Sequence, residues 1–374
     1  MSILEAFSAL PDPRREHPNK LHKLIDIVVI ALCAVIAKSE TWEEIADYGE
    51  EKEDFFRSFL ELPNGIPSHD TFNRVFTVLD PVAWQSCFMN WMRSISALSQ
   101  EKLIALDGKV LRGSKASGTA KAEDKQNALG MVSAWASKNE LVLGQVAYEK
   151  GHENEALLAL LCLLDLEGAS ISIDAAGCHT EIADCIIEGH ADYVLSLKAN
   201  QAKLFEDAKW LFEHQLEHNP NLESFESFDV EHGREETRTC WVISDLAYLE
   251  ADAWTGLKSL IVINSEVLRK GKLSSSRRFF LSSNDFRPQE ALQRVRAHWS
   301  IENQQHYPLD VLFHEDHSRT RKGFAPQNLA TLRRFALNLL NLDTHTKISK
   351  RRKRLKALLN DNYLLKLLGI QLQG

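Results

Sequence analysis

The sequence predicts an α/β fold, a mixed sheet with flanking helices and a β-rich insertion, preceded by a helical N-terminal domain. Three observations predict it. Residues 1–95 carry apolar residues at helical spacing with capping signals. From residue 101 the texture changes to short apolar runs joined by polar or glycine-containing connections. Farther along, such runs alternate with apolar-faced helical segments, the order that covers a sheet with helices.

In the helical part, residues 21–38 are strongly apolar. Thr41 with Glu44 forms a capping box for a helix over 42–59. The turn Pro63, Asn64, Gly65, Pro67 leads to Ser68, an N-cap for a helix that begins at His69. A turn feeding a helix with polar first residues suits a DNA-reading element. A third bundle helix with a capped start is the plainer reading, and spacing alone favours it. Strands follow over 103–107, 128–136 and 141–148, then a helix over 155–166, a strand over 169–174, a helix over 180–189 and a strand over 192–198. Three strands, a helix, then strand, helix, strand is the order of an RNase H-like core. Residues from about 200 to 285 interrupt it as the β-rich insertion. Helices resume near 288, and a basic helical tail covers 346–374. The expected domains are therefore 1–95, 96–345 and 346–374.

The totals are those of an ordinary globular chain. The 374 residues are 44% hydrophobic and 26% charged, enough for two or three domains with sizeable cores. The net charge of −8 argues against a uniform nucleic-acid coat but leaves room for local basic surfaces. None of the six cysteines forms a CxxC pair, so neither a disulfide framework nor a zinc site is signalled. No signal peptide is evident, and the apolar run 27–37 is far short of the roughly 20 residues a span needs. A cytoplasmic location, nucleoid-associated when bound to DNA, is expected, with no membrane partner.

Two carboxylates share one setting. Asp107 and Asp174 each end an apolar strand, and each has a glycine within three residues. Ligands in α/β folds gather at such ends. Carboxylates brought close repel unless a cation lies between them, which makes a divalent metal their natural companion. Glu302 in HWSIENQQH is a candidate third, although a helix glutamate is usually a solvated face residue. Three such groups would serve a two-metal attack on phosphorus.

The segments IALDGKVLRGS, SISIDAAGCHTEIA, DYVLSLKANQ and HWSIENQQHYPLDVLFHEDHSRTRKGFAPQNLATLRRFALNLL, in this order, resemble the DDE transposases of bacterial insertion sequences. The likeness is greatest to the branch containing the H-repeat-associated proteins. LPDPRREHPNKLHKLIDIVVIALCAVIAKSETWEEIADYG resembles the helical domain that precedes the catalytic core there. The resemblance implies an RNase H-like catalytic domain with a β-rich insertion, and Mg²⁺- or Mn²⁺-dependent strand cleavage and strand transfer at element ends. It implies Asp107, Asp174 and Glu302 as catalytic, metal-binding residues. The implied partner is double-stranded DNA, as terminal inverted repeats and target, with a dimer in the DNA complex. Related proteins carry a phosphate clamp around the glutamate, for which this chain offers Arg294, Arg296 and His298. QHYPLDV stands where the branch usually shows LHW, a non-proline residue and LDV. Pro308 lacks a backbone donor and is expected to distort the helix end and the clamp.

Basic residues suit phosphate contacts: Lys109, Arg112 and Lys115 after Asp107, Lys198 after its strand, and Arg319, Arg321 and Lys322 in SRTRKG. Gly108 and Gly113 are expected to let the chain turn close to DNA. In the tail KISKRRKRLK, the cluster Arg351, Arg352, Lys353 and Arg354 favours a nucleic-acid contact over a solvated face. Three readings stay open: an active transposase, a catalytically weakened remnant that only binds DNA, and a phosphohydrolase of small esters. The last usually wants a second aspartate two residues from the first, where this chain has Ala105 and Lys109.

Overall fold

The computed structural model of the protein describes residues 2–18, 20–95, 102–115, 127–231, 233–249 and 251–371. The segment just after the expected boundary at 95, and the tail residues 372–374, lie outside the described residues. Helices come first: α1 (Ile3–Ser8), α2 (Leu24–Ile36), α3 (Trp42–Glu51), α4 (Glu53–Arg57), α5 (His69–Val78) and α6 (Pro81–Ile95). Residues 27–34 of α2 are fully buried, which is why the helix is apolar all round. Among the described residues no helix is long and apolar enough to cross a membrane.

The Thr41–Glu44 capping box forms as expected, with the Glu44 amide donating to Thr41 Oγ1 at 3.2 Å. The expected single helix over 42–59 does not hold. It breaks at Lys52, whose amide turns back on the carbonyls of Tyr48, Gly49 and Glu50. Ser68 occupies the N-cap of α5, but its hydroxyl pairs with Thr71 Oγ1 at 3.2 Å instead of a backbone amide. Helix α5 buries Phe72, Val75 and Phe76 and leaves His69, Asp70 and Arg74 outside.

Next come β1 (Lys102–Val110), β2 (Gly130–Ala136), β3 (Leu141–Tyr148), α7 (Glu153–Leu163), β4 (Ala169–Ile173), α8 (Thr180–Glu188) and β5 (Asp192–Leu197). Strand β1 pairs antiparallel with β2 and parallel with β4, and β4 pairs parallel with β5. Strand β5 is mostly apolar, whereas β4 (ASISI) alternates serine with apolar residues, and both are largely buried.

The segment expected to be a β-rich insertion opens with a helix, α9 (Ala202–His218). Its apolar residues Leu204, Ala208, Leu211 and Phe212 fall at helical spacing and are buried. Strands β6 (Ser224–Glu231), β7 (Arg234–Ile243), β8 (Ser259–Arg269) and β9 (Lys272–Ser282) follow. They do not form a separate sheet. Strand β9 pairs antiparallel with β5, giving one nine-stranded sheet in the order β3-β2-β1-β4-β5-β9-β8-β7-β6.

The chain closes with α10 (Pro288–His298), α11 (Tyr307–Val311), α12 (Ala325–Leu342), α13 (Lys350–Leu359) and α14 (Asp361–Leu368). Helix α12 joins the N-terminal helices to the sheet. The Asn338 amide donates to the Val142 carbonyl (2.8 Å) and accepts from the Val142 amide (2.9 Å), and Asn328 donates to Phe76 and Leu79 carbonyls. Both asparagines are fully buried with these partners. Glu315, in a 3₁₀ turn (Glu315–His317), is buried against Arg334 of α12 at 2.7 Å. Lys109 of β1 reaches Glu315 at 3.6 Å, Asp310 at 2.7 Å and Asp316 at 2.8 Å. Burial alone would raise the Glu315 carboxyl, but Arg334, Lys109 and Arg333 outweigh it and hold it below its ordinary value.

Replacing Glu315 by Gln strands Arg334 and Lys109 without their shared charge. Denaturant unfolding should show a loss of about 3–5 kcal/mol. The stabilisation is complete above the unfolded glutamate pKa of about 4.3 and disappears as pH falls through the lower folded value. The Glu315→Gln variant should therefore differ least from the parent in acid.

Candidate active site

The strand register assembles the first two carboxylates. Leu106 opposite Ile173 is the last pair of the β1–β4 ladder. Asp107 and Asp174 are the next residues on each chain, so they leave adjacent parallel strands side by side. Asp107 does not end its own strand, contrary to expectation. Strand β1 runs on to Val110 because β2 still pairs with it, with Asp107 opposite Ser133. Asp107 Oδ1 accepts from the Gly108 amide at 2.9 Å, and Asp174 Oδ1 accepts from Ala176 at 3.0 Å as the cap of the 3₁₀ turn Ala175–Gly177.

Glu302 arrives from the helical side. The end of α10 is fixed to β2: Trp135 Nε1 donates to Ser300 Oγ at 2.9 Å, and Ser137 Oγ donates to the Ala297 carbonyl at 3.0 Å. Ile301 is fully buried, whereas Trp299 is 44% exposed. Beyond Ile301 the helix widens into a π turn (Glu302–His306), with the Tyr307 amide donating to the Glu302 carbonyl. Pro308 then occupies the first turn of α11. In a regular helix its ring would strike the carbonyl four residues back. The wider turn avoids that, so the expected distortion is confined to this one turn.

The π turn adds a residue that the sequence reading missed. His306 Nδ1 lies 3.5 Å from Asp107 Oδ2 and 3.6 Å from Glu302 Oε2. Donor atoms of Asp107, Glu302 and His306 all lie within 4.8 Å of one another. Asp174 is not one of this three. It lines the same cavity of about 190 Å³, together with Lys198, Arg278, His298 and Trp299. The spacing of Glu302 and His306 was the available signal, since residues four apart share a helix face.

The local field favours a cation. Burial pushes the Asp107 carboxyl up to about 7; His306 works against that shift, while the negative charges of Asp174 and Glu302 add to it. His306 holds Glu302 below its ordinary value. Glu153, half-buried beside Tyr148, is raised by burial and by Asp174. Burial lowers His298, whose Nδ1 lies 3.1 Å from Ser172 Oγ. Gly108 leaves room for Glu153 and Tyr148, and Gly113 for the Ser318 carbonyl. Both close approaches are to protein, not to the expected DNA.

The basic residues separate by burial. Lys198 is exposed at the acidic cavity, and His298 lines that cavity. Arg296 lines an adjoining groove of about 540 Å³ with Arg234, Arg238 and Arg278, facing Asp229 and Glu236. Its guanidinium pairs with Asp229 at 3.1 Å. Arg112 is exposed, 3.5 Å from Asp316. Arg319, Arg321 and Lys322 line another cavity of about 590 Å³, and Arg321 Nε donates to the Gly113 carbonyl at 3.1 Å. Arg351 and Arg352 are exposed on α13.

Three expected phosphate contacts are engaged elsewhere. Lys109 is 8% exposed within its three carboxylates. Lys353 donates to the Leu340 and Asp343 carbonyls. Arg354 donates to the Val35 and Ile36 carbonyls at the end of α2 and stacks on Phe313, 4.2 Å from its ring centre. Cations at a helix C-terminus satisfy its free carbonyls, which explains why these two are buried.

Residues 98–339 match the family described as "Transposase DDE domain", and residues 4–92 match the one described as "DDE_Tnp_1-associated". The chain belongs to the DDE transposase family. Over 98% of its length it is 38% identical to "Putative transposase YncI" of Escherichia coli O157:H7, covering 94% of that protein. It is 35% identical to "H repeat-associated putative transposase YhhI" of Escherichia coli K12, over 98% of this chain and 97% of that one. A shorter relative, "Inactive transposase YbfQ" of Escherichia coli K12, is 44% identical over 73 residues, 20% of this chain and 86% of its own. The family joins this chain to insertion-sequence mobile elements.

The divided tail gives a direct expectation. Arg354→Ala should lower unfolding stability by about 2–4 kcal/mol, because its charged hydrogen bonds and its stacking on Phe313 both go. Arg351→Ala with Arg352→Ala should leave it within about 0.5 kcal/mol. Thermal or denaturant unfolding of both variants checks this.

Proposed function

We propose that the protein is an active insertion-sequence transposase that cuts DNA at the element's terminal repeats and joins the ends to target DNA. The observation that carries this is the convergence of three carboxylates. Register brings Asp107 and Asp174 together, and the π turn directs Glu302 to them from the opposite side of the cavity. The strand order β3-β2-β1-β4-β5 supports an RNase H-like reading of the core.

The residues fit a divalent cation. Burial first, and then the charges of Asp174 and Glu302, raise the Asp107 carboxyl against the pull of His306, so a cation here would stabilise its ionised form. Asp107 and Glu302 would hold the ion, with Asp174 lining the same cavity. A bound divalent cation lowers the pKa of an attacking water or hydroxyl and offsets charge on phosphate oxygens. The chain's own groups then do the rest. The Lys198 ammonium meets a phosphate oxygen at the cavity mouth. Burial keeps the His298 imidazole neutral and able to hydrogen-bond. Arg278 and Arg296 receive the DNA backbone in the adjoining groove, where Arg296 exchanges Asp229 for phosphate. Arg112 and the Arg319, Arg321, Lys322 loop, the N-terminal helices, and Arg351 and Arg352 extend the DNA contact. Two element ends joined in one reaction imply a dimer in the complex.

The remnant reading rested on Pro308, and the π turn supplies the room its ring needs. Single-turnover cleavage of DNA carrying the element ends, with Mg²⁺ or Mn²⁺, decides between the two. The wild type should cut, and Asp107→Ala should fall to background. Equal cutting by both would sink the triad. A wild type that binds the ends without cutting, and gains cleavage as Pro308→Leu, would establish the remnant instead. Separately, replacing Arg351 and Arg352 by Ala should flatten the log–log salt dependence of DNA binding by roughly 2, near 0.9 for each phosphate no longer neutralised. An unchanged slope would remove the tail from the interface.

A further inference from the structure

The imidazole of His306 pairs with two carboxylates through one ring nitrogen and leaves the other without a partner. Its side chain is 6% exposed, and Nε2 has no hydrogen-bond partner among the described residues. The ring nitrogen that does face other polar groups, Nδ1, faces two carboxylate oxygens at 3.5 and 3.6 Å. A buried polar side chain ordinarily has its partners in the fold. Here the partners are two carboxylates, at distances longer than a hydrogen bond. The π turn that accommodates Pro308 also carries both Glu302 and His306, whose donor atoms lie within 4.8 Å of each other and of Asp107. Such turns are frequent at functional sites.

We propose that His306 Nδ1 is a direct metal ligand, making with Asp107 and Glu302 a mixed oxygen–nitrogen site that favours Mn²⁺ over Mg²⁺. The proposal rests on the metal-dependent reading above and specifies the donor set. Mg²⁺ binds carboxylates, phosphates and water, all oxygen donors, in a near-ideal octahedron. Imidazole suits Zn, Cu, Fe and Ni best; Mn²⁺, at the weak end of the same divalent series, also prefers oxygen but accepts one nitrogen more readily than Mg²⁺ does. One nitrogen among the donors therefore penalises Mg²⁺ more than Mn²⁺. Three ligating side chains within 4.8 Å leave remaining positions for solvent or a phosphate oxygen. Asp174, capping its own 3₁₀ turn, lines the same cavity as Asp107 and Glu302.

The test uses the full chain without DNA. Mn²⁺ is titrated into it and the bound ion is read by electron spin echo envelope modulation, which detects directly coordinated ¹⁴N. The wild type should show nitrogen coupling, His306→Gln should lose it, and His298→Gln should keep it. Calorimetry should show Mn²⁺ affinity falling about tenfold or more in His306→Gln, with a smaller loss for Mg²⁺. Circular dichroism checks that each variant folds, and the wild-type spectrum decides the matter even where a variant does not. Bound Mn²⁺ without nitrogen coupling overturns the His306 assignment and leaves the metal-dependent reading standing. Coupling that survives in His306→Gln and vanishes in His298→Gln also overturns it. A wild type that binds neither ion overturns both the inference and the reading beneath it.

Discussion

The fully buried Glu315 carboxylate is the constraint on which the active-site geometry depends. It lies between Arg334 of α12 and Lys109 of β1, and Lys109 in turn takes in Asp310 and Asp316. Lys109 is two residues past Asp107, so the ion cluster fixes the far end of the strand that delivers the first carboxylate. Asp310 and Glu315 lie just past the π turn that delivers the third. One set of charges thus holds both sides of the cavity. Buried ion pairs are a poor source of net stability, because desolvation offsets the attraction. Their value here is geometric: with so many charges sharing one dry space, few alternative packings leave each with a partner.

Around that cluster the fold divides its work between backbone and side chain. Backbone register alone places Asp107 beside Asp174, since the β1–β4 ladder ends at Leu106 and Ile173. Glu302 needs more. Trp135 on β2 and Ser137 just after it hold the end of α10, Ile301 is buried, and the π turn sets its direction. Helix α12 then joins the sheet to the N-terminal helices through Asn328 and Asn338, whose amides satisfy backbone groups of both. The helical region and the catalytic sheet therefore share one core, and strain at the cavity has no loose joint to relax into.

Much of this was legible in the sequence, and the limits have physical causes. Strands β1 to β5 were readable because each is a short segment rich in apolar residues and bounded by polar or glycine-containing turns. Asp107 and Asp174 were readable because an acid directly after such a run is conspicuous. Helix α9 was passed over although its apolar residues fall at helical spacing, because the strand-like stretches that follow it set the reading of the whole segment. His306 was missed because a histidine in a polar helical run looks solvated, and only the π turn, a feature without a periodic signature, buries it. The tail misled in the opposite direction. Lys353 and Arg354 look like their neighbours Arg351 and Arg352, yet a helix end elsewhere in the chain supplies carbonyls that draw one pair inward. Composition counts charges and does not say which of them a distant carbonyl will claim.

That division also reconciles the acidic total with a DNA substrate. A chain of net charge −8 repels a polyanion at long range unless its free cations are concentrated. The structure removes Lys109, Lys353 and Arg354 from the available set and leaves Lys198, Arg278 and Arg296 around one cavity and its adjoining groove. Asp229 and Glu236 line the same groove and pair with its arginines in the free protein. A phosphate backbone entering there displaces an internal acid as well as solvent ions. The exchange costs affinity for any one phosphate and is repaid only when several are matched at once. A self-paired groove of this kind would favour a correctly seated strand over a glancing contact, which is what the proposed cleavage at a defined end requires.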